Sequence, residues 1–448
     1  MSGNRLPGLK DWIYSSILIF SFIIILIISS KEFYPADYNE WHKDWGAFIN
    51  YIYSSSPIPF TALSKFTLAY LFNSFLSDQN ARNLAWVNSI FLFIPILCLA
   101  LIHGWRLALS AGSVFISALI FSPIPVYYLY SGALEVQSGV LIGIFMSTLA
   151  MLMFSDKKEQ PKSLLLLLSL SGFVLPTYKD TVVIVIVFGF LFLVFINLFI
   201  QSFFKFPGPT RESIITVIKY GALPTLLGII LSASYNMAKY GVYLPVVYLI
   251  ESRETSPDIY KSVEFFIGSI FSPNGGIIVF WFLSLFIMIG GWRMLGFSPR
   301  KSVVSLGVTC VMLTLLGLAK WWAPFGWDSW GNRLAIPSIF GLMVGMLLSL
   351  EPLQSKGTFT NKFFNKLKPY KLILICPVAV VCIYYLSVPY LSTSFSNAMQ
   401  ASLNPGPACQ NMYRALQNEA SNMGLEFWKS DIYYNCVRER MLHFPRPK

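Results

Sequence analysis

SVVSLGVTCVMLTLLGLAKWWAPFGWDSWGNRLAIPSIFGLMVGMLLSL, residues 302–350, is two uncharged apolar runs, 302–319 and 334–350, joined by a short polar stretch rich in tryptophan. Each run is close to the ~20 residues of helix that cross the hydrocarbon core of a bilayer. The joining stretch, Lys320 to Arg333, holds Trp321, Trp322, Trp327 and Trp330 together with Gly326, Asp328, Gly331 and Asn332. A loop that only reverses the chain needs none of this. Indole rings settle at a membrane–water boundary and also stack on sugar faces, and here they alternate with a carboxylate, an amide and two cations able to grip a polar ligand. The spacing predicts two membrane-spanning helices with a binding site at the face between them, its sugar- or acceptor-contacting side chains being Trp321, Trp322, Trp327, Asp328 and Trp330.

The same pattern extends over the chain. Its 448 residues are 55% hydrophobic and 12% charged, with a mean hydropathy of +0.60, which is too apolar for a soluble protein of this size. An all-α integral membrane protein with about eleven transmembrane helices is expected, at 12–30, 84–102, 107–126, 136–154, 163–176, 181–203, 215–234, 277–291, 302–319, 334–350 and 372–389. The first run is long and lacks a small-residue cleavage site, so it reads as a retained signal anchor.

Positive charge fixes the expected orientation, because Lys and Arg near span ends stay in the cytoplasm. With the N-terminus cytoplasmic and the C-terminus extracytoplasmic, the cytoplasmic side holds 17 basic and 5 acidic residues and the other side 16 of each. The formal net charge of +12 is then a topology signal, and no nucleic-acid partner is expected. Every long non-spanning segment falls outside: the first loop (31–83), the loops 236–276 and 320–333, and the tail 390–448. The chain thus divides into a polytopic unit, 1–389, and a small extracytoplasmic tail, 390–448. The cytoplasmic connections are short and basic and carry no phosphate-binding Gly-rich loop, which argues against an enzyme that uses nucleotides or nucleotide sugars.

Cys409 and Cys436 lie in that tail, where oxidising conditions favour a disulfide; the alternative is two free thiols. Between them Met412, Leu416, Ala420 and Met423 recur at helical spacing. In the first loop two carboxylates, Asp37 and Asp44, follow the first span closely. Phe48, Tyr51 and Ile52 lie four, seven and eight residues after Asp44, so Asp44 stands at the start of an interfacial helix. It either caps that helix or serves as a general base beside a bound sugar. Ser272-Pro273-Asn274-Gly275-Gly276 reads either as a helix start offering backbone N–H groups to an anion or as a plain turn. Glu135, Gln137, Lys179 and Asp180 either line a cavity or sit in solvated turns.

The order of these parts resembles the type C glycosyltransferases, polytopic enzymes with a first-loop carboxylate that take sugar from a polyprenyl-phosphate donor. Three segments are similar to bacterial membrane proteins of that superfamily: Tyr-Asn-x-x-Lys-Tyr-Gly (235–241), Phe-Ser-Pro-Asn-Gly-Gly (271–276) and Trp-Trp…Gly-Trp-Asp-Ser-Trp-Gly-Asn-Arg-Leu (321–334). The resemblance covers most of residues 12–350 and leaves out the tail. It implies a fold like theirs, with Asp44, or failing it Asp37, as the base, although a His42-Lys43 dipeptide precedes Asp44 where the family often has an aromatic pair or a second acid. It matches Arg333 to an arginine near the donor phosphate. Beside it, Lys320 or Lys239 reads as a further phosphate contact and Asn274 as a sugar or acceptor contact. The alternative for Arg333 is an interfacial anchor. The resemblance admits a divalent cation, Mg or Mn, between Asp37 or Asp44 and a phosphate.

The function expected on this basis is inverting transfer of a sugar from a polyprenyl-phosphate carrier to a glycan, lipid or protein of the cell envelope. The partners are the lipid-linked donor, the bilayer and the acceptor, and the place is a bacterial inner (plasma) membrane with the site facing the periplasm. The alternatives are a transporter or flippase for a lipid-linked saccharide and a catalytically silent scaffold of the same fold. Transporters place ionisable residues and broken helices near mid-membrane in related halves, a pattern absent from this sequence.

Overall fold

The computed structural model describes residues 82–120, 134–154, 160–178, 180–199, 209–241, 243, 256–273, 275–281, 284–286, 288–289, 301–321, 332–350, 406–418, 427 and 430–442. Every regular element among them is helical. In chain order these are α1 (Arg82–His103), α2 (Trp105–Ile120), α3 (Leu134–Met153), α4 (Lys162–Tyr178), α5 (Asp180–Phe199), α6 (Arg211–Val217) and α7 (Leu223–Tyr240). They continue with α8 (Ile259–Phe271), α9 (Ile277–Phe280), α10 (Lys301–Ala319), α11 (Ile336–Leu348), α12 (Pro407–Asn418) and α13 (Asp431–Leu442).

The centre of the molecule is the pair α3 and α11, both apolar around their circumference and buried almost throughout, as a helix without a polar face must be. What lets them come so close is glycine at four-residue spacing: Gly139 and Gly143 on α3, Gly341 and Gly345 on α11. A Cβ at position 139 would lie 2.9 Å from Phe340 Cβ, and one at 341 would lie 2.7 Å from Ile142 Cγ2. Small residues four apart are the usual device for backbone-to-backbone packing where no water drives helices together. Gly139 meets Phe340 and Gly143 meets Val344, so the two helices run parallel. Phe115 of α2 stacks on Phe340 at 5.9 Å, and Leu92, Leu99, Ile116 and Trp281 complete the fully buried interior around them. Helices α1 and α2 are joined by one residue, Gly104, whose φ of 90° an L side chain adopts only with strain.

A second group, α4 with α6 and α7, is built the same way. Gly172 faces Thr225 and Gly221, while Gly228 faces the Phe173 carbonyl. Between α6 and α7 the helix widens to a π turn, Ile218–Ala222. Pro224 has no N–H to offer the carbonyl four residues back, that of Tyr220, and Ser169 of α4 donates its hydroxyl to that oxygen at 2.9 Å. The break in the ladder is therefore repaired by the neighbouring helix.

Among the described residues three helical stretches are long and apolar enough to cross a membrane: Glu135–Met153, Arg211–Ala238 and Ser302–Ala319. The first is buried within the protein. The second is mostly exposed, and its open face is Ile214, Ile215, Ile218, Leu223, Leu226, Leu227, Ile230 and Leu231. A face of that size is unfavourable in water and is solvated by lipid, which gives the chain its membrane character. Shorter apolar helices occupy Ile90–His103, Trp105–Ile116, Lys162–Tyr178, Ile184–Phe195 and Arg333–Leu348. Helices thus occur at the expected spans 84–102, 136–154, 163–176, 215–234, 302–319 and 334–350 and in the described parts of 107–126 and 181–203. Segment 277–291 differs from a continuous span: α9 ends at Phe280, the chain bends at the fully buried Trp281, and 284–286 are again helical. The segments 12–30 and 372–389 lie outside the described residues.

Helices also form outside the expected spans. Within 236–276 the chain forms α8, whose N-cap Asp258 accepts from the Lys261 N–H at 2.8 Å. The tail packs on it as two helices, α12 and α13, joined by a disulfide between Cys409 and Cys436. Of the residues at helical spacing, Met412 and Leu416 lie in α12 while Ala420 and Met423 fall outside the described residues, and each cysteine is inside a helix, Cys409 in α12 and Cys436 in α13. Phe265 of α8, Ala319 of α10, Met412, Tyr433, Tyr434, Val437 and Met441 share one apolar cluster, with Trp321 against its edge.

Candidate functional site

Two charged residues meet at one end of the central pair. Glu135 is in the first turn of α3, where the helix dipole favours a carboxylate. Arg333 opens a 3-10 turn, Arg333–Ala335, that leads into α11. Asn332 caps this turn, its Oδ1 accepting from the Ala335 N–H at 3.2 Å, and Pro337, whose missing N–H costs nothing there, stands in the first turn of α11. These local signals aim the arginine back at α3. Its Nε donates to Glu135 Oε1 at 3.1 Å, with the carboxylate side chain 8% exposed and the arginine side chain 25%.

A charge pair in such surroundings is costly to desolvate, and breaking it by removing one partner is costlier still. The polar groups beneath it are buried as well. Asn332 Nδ2 and Ser138 Oγ, the latter three residues along α3 from Glu135, have no hydrogen-bond partner among the described residues. Gln137 is fully buried in the same turn. Unsatisfied polar atoms are rare in native interiors and mark places where a ligand or water completes the structure. The arrangement offers a guanidinium held rigidly by a carboxylate at the mouth of a tight helix pair, above buried donors and acceptors. Such a group stabilises negative charge without reorganising.

Around this pair lie the other elements of the same end. The 3-10 turn packs against α10. The last turn of α10 closes with the Lys320 N–H on the Gly317 carbonyl and the Trp321 N–H on the Leu318 carbonyl, leaving Lys320 exposed and Trp321 half-buried against the tail cluster. Lys239 is in the final turn of α7, which Gly241 terminates in the left-handed conformation at φ 72°; its side chain lies outside the described residues. So do Asp37, Asp44, Asn274, Trp322, Trp327, Asp328 and Trp330. Among the described residues no group of three or more His, Cys, Asp or Glu side chains could hold a metal ion, and both carboxylates of the divalent-cation reading fall beyond them.

Behind α10, the tail is held to α8 by charge as well as by apolar contact. Arg438 Nε donates to both oxygens of Glu264, at 2.7 and 2.8 Å. Lys261 lies 3.9 Å over the Tyr434 ring and reaches Asp431 at 3.5 Å and Asp258 at 3.7 Å. The Lys261 backbone N–H, and then its ammonium, hold the Asp258 carboxyl below the usual range. Burial, and then the Asp258 charge, push the Tyr434 phenol up to about 12. Ser272 Oγ donates to the Met441 carbonyl at 2.7 Å, and Glu439 accepts from the Cys409 N–H at 2.8 Å.

Reading residue by residue leaves Glu135 open between cavity and turn, and does not couple it to Arg333. The signal is present in the sequence: a lone acid opening an otherwise uncharged apolar helix needs a cation, and Arg333 opens another. Comparison of the chain with family models, with curated proteins and with solved structures finds no match.

Proposed function

We propose that this chain is a multi-pass membrane glycosyltransferase of a bacterial inner membrane, with its site on the periplasmic face. It moves a sugar from a polyprenyl-phosphate carrier to an extracytoplasmic glycan, lipid or protein. The observation that carries the reading is the Arg333–Glu135 pair, fixed at the end of the bundle where the tryptophan-rich stretch joins α11.

In this reading the donor enters sideways from the lipid. Arg333 holds its phosphate oxygens, Glu135 acts as a positioning residue for Arg333, and the tryptophans between 321 and 330 lie against the sugar. Lys320 and Lys239 add positive charge for the phosphate, and Asn274 contacts sugar or acceptor. Asp44, or Asp37 in its place, takes the proton from the acceptor hydroxyl. The hydroxyl oxygen forms a bond to the anomeric carbon on the face opposite the phosphate, the bond from that carbon to the phosphate oxygen breaks, and the electron pair leaves with the polyprenyl phosphate. The configuration inverts. The lipid phosphate is a fair leaving group, so the chemistry needs positioning and charge stabilisation more than a strong acid.

The test is release of free polyprenyl phosphate from a panel of polyprenyl-phosphate sugars by the reconstituted full chain, with native membranes supplying acceptor, beside Asp44→Asn and Asp37→Asn. Loss of release in one folded aspartate variant supports transfer and selects the base. Passage of intact lipid-linked saccharide across the bilayer without release moves the function to transport.

A further inference from the structure

We propose that α8 is an interfacial helix seated in the bilayer leaflet at the Glu135–Arg333 end of the bundle, with the disulfide-joined tail riding on its flank in water. The proposal is independent of sugar transfer.

The three faces of α8 differ in kind. Ser262, Phe265 and Ser269 are buried, and Lys261, Glu264 and Gly268 meet the tail through Tyr434, Arg438 and Met441. What remains, at 3.6 residues per turn, is an arc of about 120°. It holds Ile259, Tyr260, Val263, Ile267 and Phe271, which are 50% to 85% exposed, and no charged residue. The tail attached to the same helix has the opposite surface, for its exposed positions include Gln410, Asn411, Arg414, Asn435 and Arg438. One small unit thus presents water-loving groups on one side and an unbroken apolar arc on the other.

The occupant of that arc is lipid because the arc continues a lipid-facing surface. Val308, Met312 and Leu316 form an exposed apolar stripe along the spanning helix α10, and that stripe ends one turn before Ala319, which packs against Phe265 of α8. The hydrogen bond from Ser272 to the Met441 carbonyl sets the exposed Leu442 of α13 beside the Phe271 end of the arc. At 13 residues α8 is too short to cross a core that needs ~20, so it lies at the surface. Asp258, exposed at its N-terminus, and Tyr260 after it suit the headgroup level, where tyrosine collects.

The test labels the full chain with an environment-sensitive nitrobenzoxadiazole dye at Ile259→Cys, Val263→Cys or Ile267→Cys, and at the tail controls Arg414→Cys and Asn435→Cys. Cys98, Cys310, Cys376 and Cys382 are serine in this background, and the Cys409–Cys436 disulfide is kept. The protein is placed in phosphatidylcholine vesicles with or without acyl-chain nitroxide lipid, and each variant is read only if it elutes as the unlabelled protein does. The expected result is blue-shifted emission quenched about twofold or more by the nitroxide lipid at all three α8 positions, with water-like, unquenched emission at both controls. Water-like emission on α8, or blue-shifted emission that the nitroxide lipid leaves unquenched because protein covers the arc, overturns the proposal.

Discussion

Arg333 Nε lies 3.1 Å from Glu135 Oε1, joining residues 198 apart in sequence at the shared end of two parallel helices. Because glycines bring the backbones of α3 and α11 together, neither charge can withdraw far from the other. Removing one partner takes this ion pair away from a group that stays partly buried. Glu135→Ala and Arg333→Ala should each destabilise the protein by about 2–3 kcal/mol, near the low end for buried pairs because the arginine is a quarter exposed. Glu135→Leu combined with Arg333→Met should recover most of the loss. Denaturant unfolding in micelles measures all three; equal stability of the single variants and the wild type would deny the pair a structural role.

The glycine contacts make a sharper packing prediction. Gly143→Leu forces a side chain into the Val344 position of α11 and should cost about 1–3 kcal/mol or more. Gly317, by contrast, is in the last turn of α10, and a Cβ added there would meet nothing within 4 Å, so Gly317→Ala should be neutral or stabilising by up to about 1 kcal/mol. Thermal unfolding of the two variants side by side reads the contrast, and a Gly143→Leu protein as stable as wild type would contradict the parallel register of α3 and α11.

Opening the disulfide should free the tail while the membrane helices persist. The link closes residues 27 apart, for which chain entropy alone gives about 3–4 kcal/mol. Cys409→Ser with Cys436→Ser should therefore make residues 406–442 susceptible to protease at concentrations that leave the rest of the chain intact. Unchanged resistance would mean that the apolar cluster and the Glu264–Arg438 pair hold the tail unaided.

Docking of the tail on α8 should depend on pH at both extremes. The Asp258 carboxyl is lowered below its ordinary value of about 3.9, so its contribution is present above that pH and is lost as pH falls through the lower, folded value. The Tyr434 phenol is raised from about 10, so the folded state is favoured below pH 10 and loses that advantage as pH rises towards about 12. Hydrogen exchange of α13 should be flat from about pH 5 to about pH 9 after correction for intrinsic rates, with protection falling outside that window. In Tyr434→Phe the alkaline limb should vanish and the acid limb remain.

Much of the helical framework is legible in the sequence because uncharged apolar runs of bilayer length leave few alternatives. Each described helix among the first seven coincides with an expected span or part of one, and the limits at Gly104 and Gly241 follow from glycine's access to positive φ. What the sequence hides is the pairing. By sequence Glu135 reads as cavity lining or solvated turn and Arg333 as a phosphate contact or an interfacial anchor, and nothing joins the two until α3 and α11 are set parallel, an arrangement that comes from four glycines whose contacts only three dimensions display. Helix α8 escapes a reading by hydropathy for a different reason: 236–276 is polar enough at its start to read as loop, although Pro257 and Asp258 ahead of Ile259 are an ordinary helix start. The tail cysteines, which by spacing flank a helix, instead lie inside two and tie them together, Cys409 in α12 and Cys436 in α13.

The most direct test of the central claim compares Arg333→Ala and Glu135→Gln with the wild type for release of polyprenyl phosphate from the donor that the wild type uses, in vesicles and with each protein shown to be folded. If Arg333 meets the donor phosphate and Glu135 positions it, Arg333→Ala should lower release about 100-fold or more, and Glu135→Gln, which keeps an acceptor for the guanidinium, should lose less. Wild-type release from a folded Arg333→Ala protein would contradict the assignment of Arg333 to the phosphate and, with it, the proposed site.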